Sequence, residues 1–342
     1  MLYVVIIFLL VSILLYVILG GADFGAGILE IFTPSNLRDE LRNTTYKTIG
    51  PIWEANHMWL IIAIVILFVG FPPIYTMLSV HLHIPLALML IGIIGRGTAF
   101  VFRHYDAYQD EMQKVYNLIF TYSSFITPLF LGLIFGAAVG GQIDPEAVGF
   151  YEAYIHPWFN YFSLAVGFFT VTICGFLASV FLVGEAKKPE VKTVVVGKAK
   201  LFIVFTVLAG GLVFVASIID DVPLVGLILT EWITTGTLVL ATLAIVLLWV
   251  KLGEGNKILV RFLSGFVVTA ILLAFGYHYF PDLIITKSGE NLSVFNSAAI
   301  GKPIDALAWA LLIGSLFILP SLFYLLYSFQ GSKEGEDVKE VR

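Results

Sequence analysis

The sequence predicts an all-α polytopic membrane protein with nine transmembrane helices, which an internal echo described below hints are two four-helix bundles plus one extra helix. Three observations carry the membrane reading. Hydrophobic residues make up 59% of the 342 residues and charged residues 13%, with a mean hydropathy of +0.96. The apolar residues fall in runs of the ~20 residues that a helix needs to cross a bilayer. The stretches between the runs are short, so no soluble module is expected. One integral domain is expected over residues 1–330, with helices 1–4 within about 1–140, helices 5–8 within about 158–281 and helix 9 at about 303–329. A polar, disordered cytoplasmic tail is expected at 331–342.

The first run, at about 2–32, starts at Met1 without a basic flank and is too long for the core of a cleavable signal, so it reads as helix 1. The others lie at about 52–70, 74–102, 115–140, 158–183, 199–219, 224–250, 259–281 and 303–329. Pro51 suits the first position of helix 2, where its missing N–H is not needed. Tyr3, Trp59, Trp158, Trp249, Tyr279 and Tyr327 stand near segment ends and suit the interfacial aromatic belt. The single cysteine, Cys174, excludes an internal disulfide and reads as a buried small residue. The stretch Ile173–Ser179 in helix 5 echoes Leu19–Gly25 in helix 1, without the acid, which is the hint of two like bundles.

Basic residues set the expected orientation. Arg38, Arg42 and Lys47 follow helix 1, and Arg103 and Lys114 follow helix 3. Lys187, Lys188, Lys192, Lys198 and Lys200 follow helix 5, and Lys251, Lys257 and Arg261 follow helix 7. Lys333, Lys339 and Arg342 close the chain. The other side carries Lys287 and Lys302. This asymmetry puts the N-terminus outside and the C-terminus in the cytoplasm.

The net charge of −5 is spread thinly and argues against a nucleic-acid partner. His81, His83, His104, His156 and His278 offer no haem or metal spacing within one helix, and no nucleotide fingerprint or nucleophile triad is present, so no metal site is expected. Chemistry is therefore sought among ionisable residues inside apolar segments, where a charge costs at least ~2.5–3.5 kcal/mol.

Three runs qualify. The first is Gly20-Gly21-Ala22-Asp23-Phe24-Gly25-Ala26-Gly27. Its glycines allow close helix approach, so Asp23 is either one acid on a packing face or a buried, partnered carboxylate. The second is Pro51-Ile52-Trp53-Glu54-Ala55-Asn56-His57-Met58-Trp59. Glu54 in the first turn suits the positive end of the helix dipole. Trp53, Asn56, His57 and Leu60 share one face, and His57 follows Glu54 by three, so the turn can equally form a proton relay or an interface cap. The third is Arg96-Gly97-Thr98-Ala99-Phe100-Val101-Phe102-Arg103. Arg96 lies ~10 Å deeper than Arg103 and cannot shed its charge, so it needs a partner. With helices 1 and 3 running inward and helix 2 outward, Asp23, Glu54 and Arg96 reach similar depth, and an intramembrane ion-pair cluster is expected there.

These runs resemble the second subunit of the cytochrome bd quinol oxidases. That family carries a glycine-rich run with an acid near the end of helix 1, as at Gly21–Gly25. Its Pro-x-Trp-Asp-Gly-Asn-x-x-Trp-Leu run is matched at Pro51, Trp53, Asn56, Trp59 and Leu60, with Glu54 for the Asp and Ala55 for the Gly. Its Arg-Gly-x-x-Phe-acid-x-Arg run is matched at Arg96, Gly97, Phe100 and Arg103, with Val101 for the acid. Phe280–Leu283 and Leu292–Ala298 match the family pattern before the last helix.

The resemblance implies a non-haem subunit of a quinol:oxygen oxidoreductase in a prokaryotic plasma membrane, paired with a haem-bearing subunit I. It places b-type and d-type haems and the quinol site in that partner, with no catalytic residue in this chain. It leaves room for a structural quinone, bound membrane lipids and a small single-helix subunit. The proton-route candidates are then Glu54, Asp23 and His57, supported by Arg96, Arg103, Trp53, Asn56 and Trp59. Two other readings stay open at this point: a secondary transporter, and a purely structural partner of a haem membrane oxidoreductase.

Overall fold

The computed structural model describes residues 1–50, 53–105, 112–185, 189–254 and 256–339. Pro51, Lys187, Lys188 and Arg342, used above for helix placement and orientation, lie outside the described residues. Among the described residues, nine helices are long and apolar enough to cross a membrane. The first, α1 (Leu2–Ile31), contains one π-helical turn at Tyr16–Gly20. An amphipathic helix, α2 (Ser35–Ile49), leads to α3 (Trp53–Gly70). Then come a short α4 (Pro72–His81), α5 (His83–Tyr105) and α6 (Met112–Val139). After α7 (Phe150–Tyr154) the spans continue with α8 (Tyr161–Val183) and α9 (Pro189–Ile219). A short α10 (Leu224–Thr230) precedes α11 (Trp232–Lys251) and α12 (Lys257–Tyr279). The final helix is α13 (Lys302–Lys339).

Two expected spans begin later than the apolar pattern suggests. The third was placed from residue 74, but the helix breaks at Leu82 and restarts at His83. Pro85 explains the break, because in a continuous helix its ring would meet the carbonyl four residues back. The seventh was placed from residue 224, but the backbone is extended at Glu231. There the carboxylate accepts from Thr234 at 3.0 Å and lies 3.1 Å from His278 Nδ1. At the C-terminus α13 runs on through Lys339, so most of the expected disordered tail is helical. Lys333, Glu334 and Lys339 are good helix formers, which suits that continuation.

Helix α8 packs against α1, α6, α9 and α12, while α3 packs on α1, α5 on α6 and α11 on α12. Helix α8 is the most buried span, with 72% of its central residues buried against 11% in α13, which lies along α1 and α3. The echoing stretches of α1 and α8 pack directly on each other. A Cβ at Gly25 would lie 1.9 Å from the Cys174 carbonyl oxygen, so only glycine permits that contact. Elsewhere the spans present Ile61, Phe68, Leu212, Leu243 and Phe317 outward, which suits a lipid or protein environment and not water.

At the α1 N-terminal end a two-stranded hairpin, β1 (Asp282–Ile284) and β2 (Leu292–Ser293), covers the bundle. It is tied down where the Ala299 N–H donates to the Gly70 carbonyl at the end of α3, at 2.8 Å. Helix α2 stands at the opposite end, between the C-terminus of α1 and the N-terminus of α3.

Candidate functional site

The site forms where α1, α3, α5 and α6 converge near the α2 end. On α1, the π turn leaves Gly20 against the Tyr16 ring, where a Cβ would come within 2.9 Å of a ring carbon. Such turns insert one residue and re-aim the side chains that follow. The residues that follow bury Asp23, which is 1% exposed. One turn later Gly27 lets α6 approach, since a Cβ there would lie 2.2 Å from Ser124 Oγ.

Arg96 reaches this point from α5 and is itself 1% exposed. Its Nη1 donates to Asp23 Oδ2 and its Nη2 to Asp23 Oδ1, both at 2.7 Å. Nη2 also reaches the Asp23 carbonyl at 2.9 Å, and Nε donates to Ser124 Oγ at 3.1 Å. The rings of Phe24 and Phe120 lie 5.3 and 4.9 Å from its Cζ. This is a two-pronged, charge-assisted pair with stacked aromatic cover, among the strongest arrangements a guanidinium makes. Burial raises the stakes: removing one partner of such a pair costs ~3–5 kcal/mol, because the other charge is stranded.

A second rung lies two turns along. Glu30 is 1% exposed. Its Oε1 accepts from Arg103 Nη2 at 2.7 Å and its Oε2 from Arg42 Nε at 2.9 Å. Arg42 also donates to Asp39 at 2.9 Å. Phe120 serves this rung too, with Arg103 Cζ 4.7 Å from its ring centroid. The expected pairing of Arg96 with an acid is therefore present, and Arg103 is paired as well. Glu30 was missed by sequence reasoning. The signal that could have found it is spacing, for Glu30 follows Asp23 by seven residues as Arg103 follows Arg96.

Helix α3 contributes His57, whose Nε2 lies 3.3 Å from Asp23 Oδ2. Its ring sits among those of Tyr16, Phe24 and Trp53, at centroid distances of 6.0, 5.4 and 6.3 Å. Trp53 also packs on Gly97 and Phe100. Asn56 and Trp59 are buried on the face shared with Ala63 and Ile66, so Trp59 packs in the core. Glu54 corrects the expectation most clearly. It is exposed and has no hydrogen-bond or ion-pair partner among the described residues, so it does not join the Asp23–Arg96 cluster. Depth along the axis is right, but Glu54 belongs to the outward stripe of α3 with Met58, Ile61, Val65 and Phe68.

Among the described residues no group of three or more His, Cys, Asp or Glu could hold a metal ion. A haem needs an open imidazole nitrogen beside a slot for the macrocycle. His57 Nδ1 has no protein partner, but the rings of Tyr16, Phe24 and Trp53 crowd the imidazole and leave no slot for a macrocycle, so His57 does not fit as a haem ligand. His81 and His83 turn Nδ1 to the backbone carbonyls of Ala153 and Val80, at 3.0 and 2.8 Å. What the arrangement can do is hold fixed charge inside the bundle and place one imidazole beside it.

Comparison with known proteins gives a consistent picture. The family model described as cytochrome bd terminal oxidase subunit II matches residues 1–329. Cytochrome bd ubiquinol oxidase subunit 2 of Bacillus subtilis is 33% identical over 173 residues, which is 49% of this chain and 49% of that protein. Cytochrome bd-I ubiquinol oxidase subunit 2 of Escherichia coli K12 is 27% identical over 168 residues, 48% of this chain and 44% of that one. The chain thus spans about half the length of these relatives. A chain in the structure of the bd oxidase from Geobacillus thermodenitrificans superposes with a TM-score of 0.76. That likeness covers 96% of this chain and 98% of the other at 20% identity, and it speaks to the fold.

Proposed function

This chain belongs to the cytochrome bd terminal oxidase subunit II family, and we propose that it serves as the haem-free second subunit of a quinol-oxidising, oxygen-reducing complex in a prokaryotic plasma membrane. In this reading a haem-bearing subunit I completes the enzyme and holds the b-type and d-type haems, which carry the electrons from quinol to oxygen. The residues of this chain stabilise the assembly and border the route by which protons arrive from the cytoplasm. Quinone, lipid and a small single-helix subunit are the further components that the complex can recruit.

Basic residues support the orientation. Arg38, Arg42, Arg103, Lys192, Lys198, Lys251 and Arg261 all belong to the α2 end or to span ends on that side, whereas Lys287 and Lys302 are at the hairpin end. The α2 end is then cytoplasmic and the N-terminus outside. An integral domain over 1–330 with two like bundles goes with this reading.

The observation that carries the proton reading is the contact of His57 Nε2 with Asp23 Oδ2 at 3.3 Å, one helical turn after the exposed Glu54. A carboxylate open at the surface of α3, followed by an imidazole and a buried acid, runs inward from the cytoplasmic side. An imidazole can take a proton at one nitrogen and release it at the other. The test is turnover of the assembled complex bearing Glu54→Gln or His57→Phe. Slowed oxygen reduction with normal haem content supports a proton route. Unchanged turnover supports a second reading, in which the buried charges only hold the subunit together. The full engagement of the Arg96 guanidinium, with Nε, Nη1 and Nη2 all donating, is what favours that second reading.

A further inference from the structure

Two buried polar atoms beside Asp23 have no protein partner. Tyr16 is 3% exposed, and its hydroxyl makes no hydrogen bond within the chain. His57 Nδ1 is buried and equally unpaired. Their rings are 6.0 Å apart, centre to centre. Both adjoin the π turn of α1, a deviation common at functional sites. Buried polar groups in folded proteins are nearly always paired, with protein or with an ordered water.

The chemistry of the two atoms is complementary. His57 Nε2 faces the Asp23 carboxylate at 3.3 Å, so the ring proton belongs on Nε2 and Nδ1 carries a lone pair. The Tyr16 hydroxyl both donates and accepts. A water molecule can accept from Tyr16 Oη and donate to His57 Nδ1, satisfying both.

We propose that Tyr16 and His57 hold a buried water molecule between Tyr16 Oη and His57 Nδ1. The inference rests on the proton-route reading for its purpose. The water gives His57 a proton donor on the side away from Asp23. Tyr16 is a positioning residue here, since it acts through the water.

The test uses the assembled complex. Infrared difference spectra are recorded in ordinary and ¹⁸O water for the native complex and for Tyr16→Phe, with a map at a resolution that shows ordered waters. The expected result is an oxygen within hydrogen-bond reach of both atoms, and an ¹⁸O-sensitive O–H band that is lost in Tyr16→Phe while the Asp23–Arg96 pair stays in place. Oxygen-reduction turnover should fall about tenfold, the rate equivalent of one hydrogen bond. A native map with no oxygen between the two atoms overturns the proposal, whatever the variant does. A water that is lost with turnover unchanged upholds the water site and overturns the proton-route reading instead.

Discussion

Arg103 meets Glu30 at 2.7 Å, two helical turns beyond the point where Arg96 meets Asp23 at the same distance. Helices α1 and α5 run in the same direction, so two acids seven apart on one face two arginines seven apart on the other. Seven residues are ~10.5 Å of helix, and Phe120 lies beside both guanidinium groups. The result is a ladder of two charge pairs, the inner one closed and the outer one continued to the surface through Arg42 and Asp39.

The ladder predicts unequal costs. Arg96→Gln should destabilise the complex by ~3–5 kcal/mol, because it strands a buried carboxylate. Arg103→Gln should cost less, since Arg42 still donates to Glu30. Denaturant unfolding of the detergent-solubilised complex reads both. A double-mutant cycle between Asp23→Asn and Arg96→Gln should show coupling, whereas Asp23→Asn with Arg103→Gln should add to within ~0.5 kcal/mol.

Charge alone should not rescue the inner rung. Arg96→Lys keeps the cation but cannot donate to both Asp23 oxygens and to Ser124 at once. It should assemble better than Arg96→Gln and worse than the native protein, as judged by the yield of intact complex.

Glycine substitutions should split sharply by position. Gly25→Ala places a Cβ against the Cys174 carbonyl, so α1 and α8 must move apart. Overpacking of this kind costs ~1–3 kcal/mol or more. Gly211→Ala meets nothing within 4 Å and should be neutral or slightly stabilising. Thermal unfolding of the two variants side by side checks the contrast.

Glu54 separates chemistry from structure. It is exposed, so Glu54→Gln should cost at most ~0.3–1 kcal/mol through the helix dipole. Slowed oxygen reduction at normal haem content and normal stability is the expected outcome.

Much of this was legible in the sequence. Run length and composition place the nine spans, because bilayer thickness alone sets those lengths. The Asp23–Arg96 pair follows from matching depth along two segments that run in the same direction and from the cost of a lone buried charge. Glu54 shows where that reasoning stops: depth is a coordinate along the axis, but the direction a side chain faces depends on which face of α3 meets α1. Asn56, Trp59, Ala63 and Ile66 take that face, so Glu54 turns outward. Glu30 was hidden for a different reason. It sits at the end of an apolar run, where an acid looks ordinary until Arg103 and Arg42 are seen to converge on it. The breaks at Leu82 and Glu231 fall inside apolar stretches, where hydropathy does not register backbone geometry.

The most direct test of the central claim is a reduced-minus-oxidised absorption spectrum of the native complex purified through this chain. The account predicts b-type and d-type haem bands together with a second large membrane subunit, and no haem on this chain when it is separated from that partner. A preparation with neither haem nor partner would contradict it.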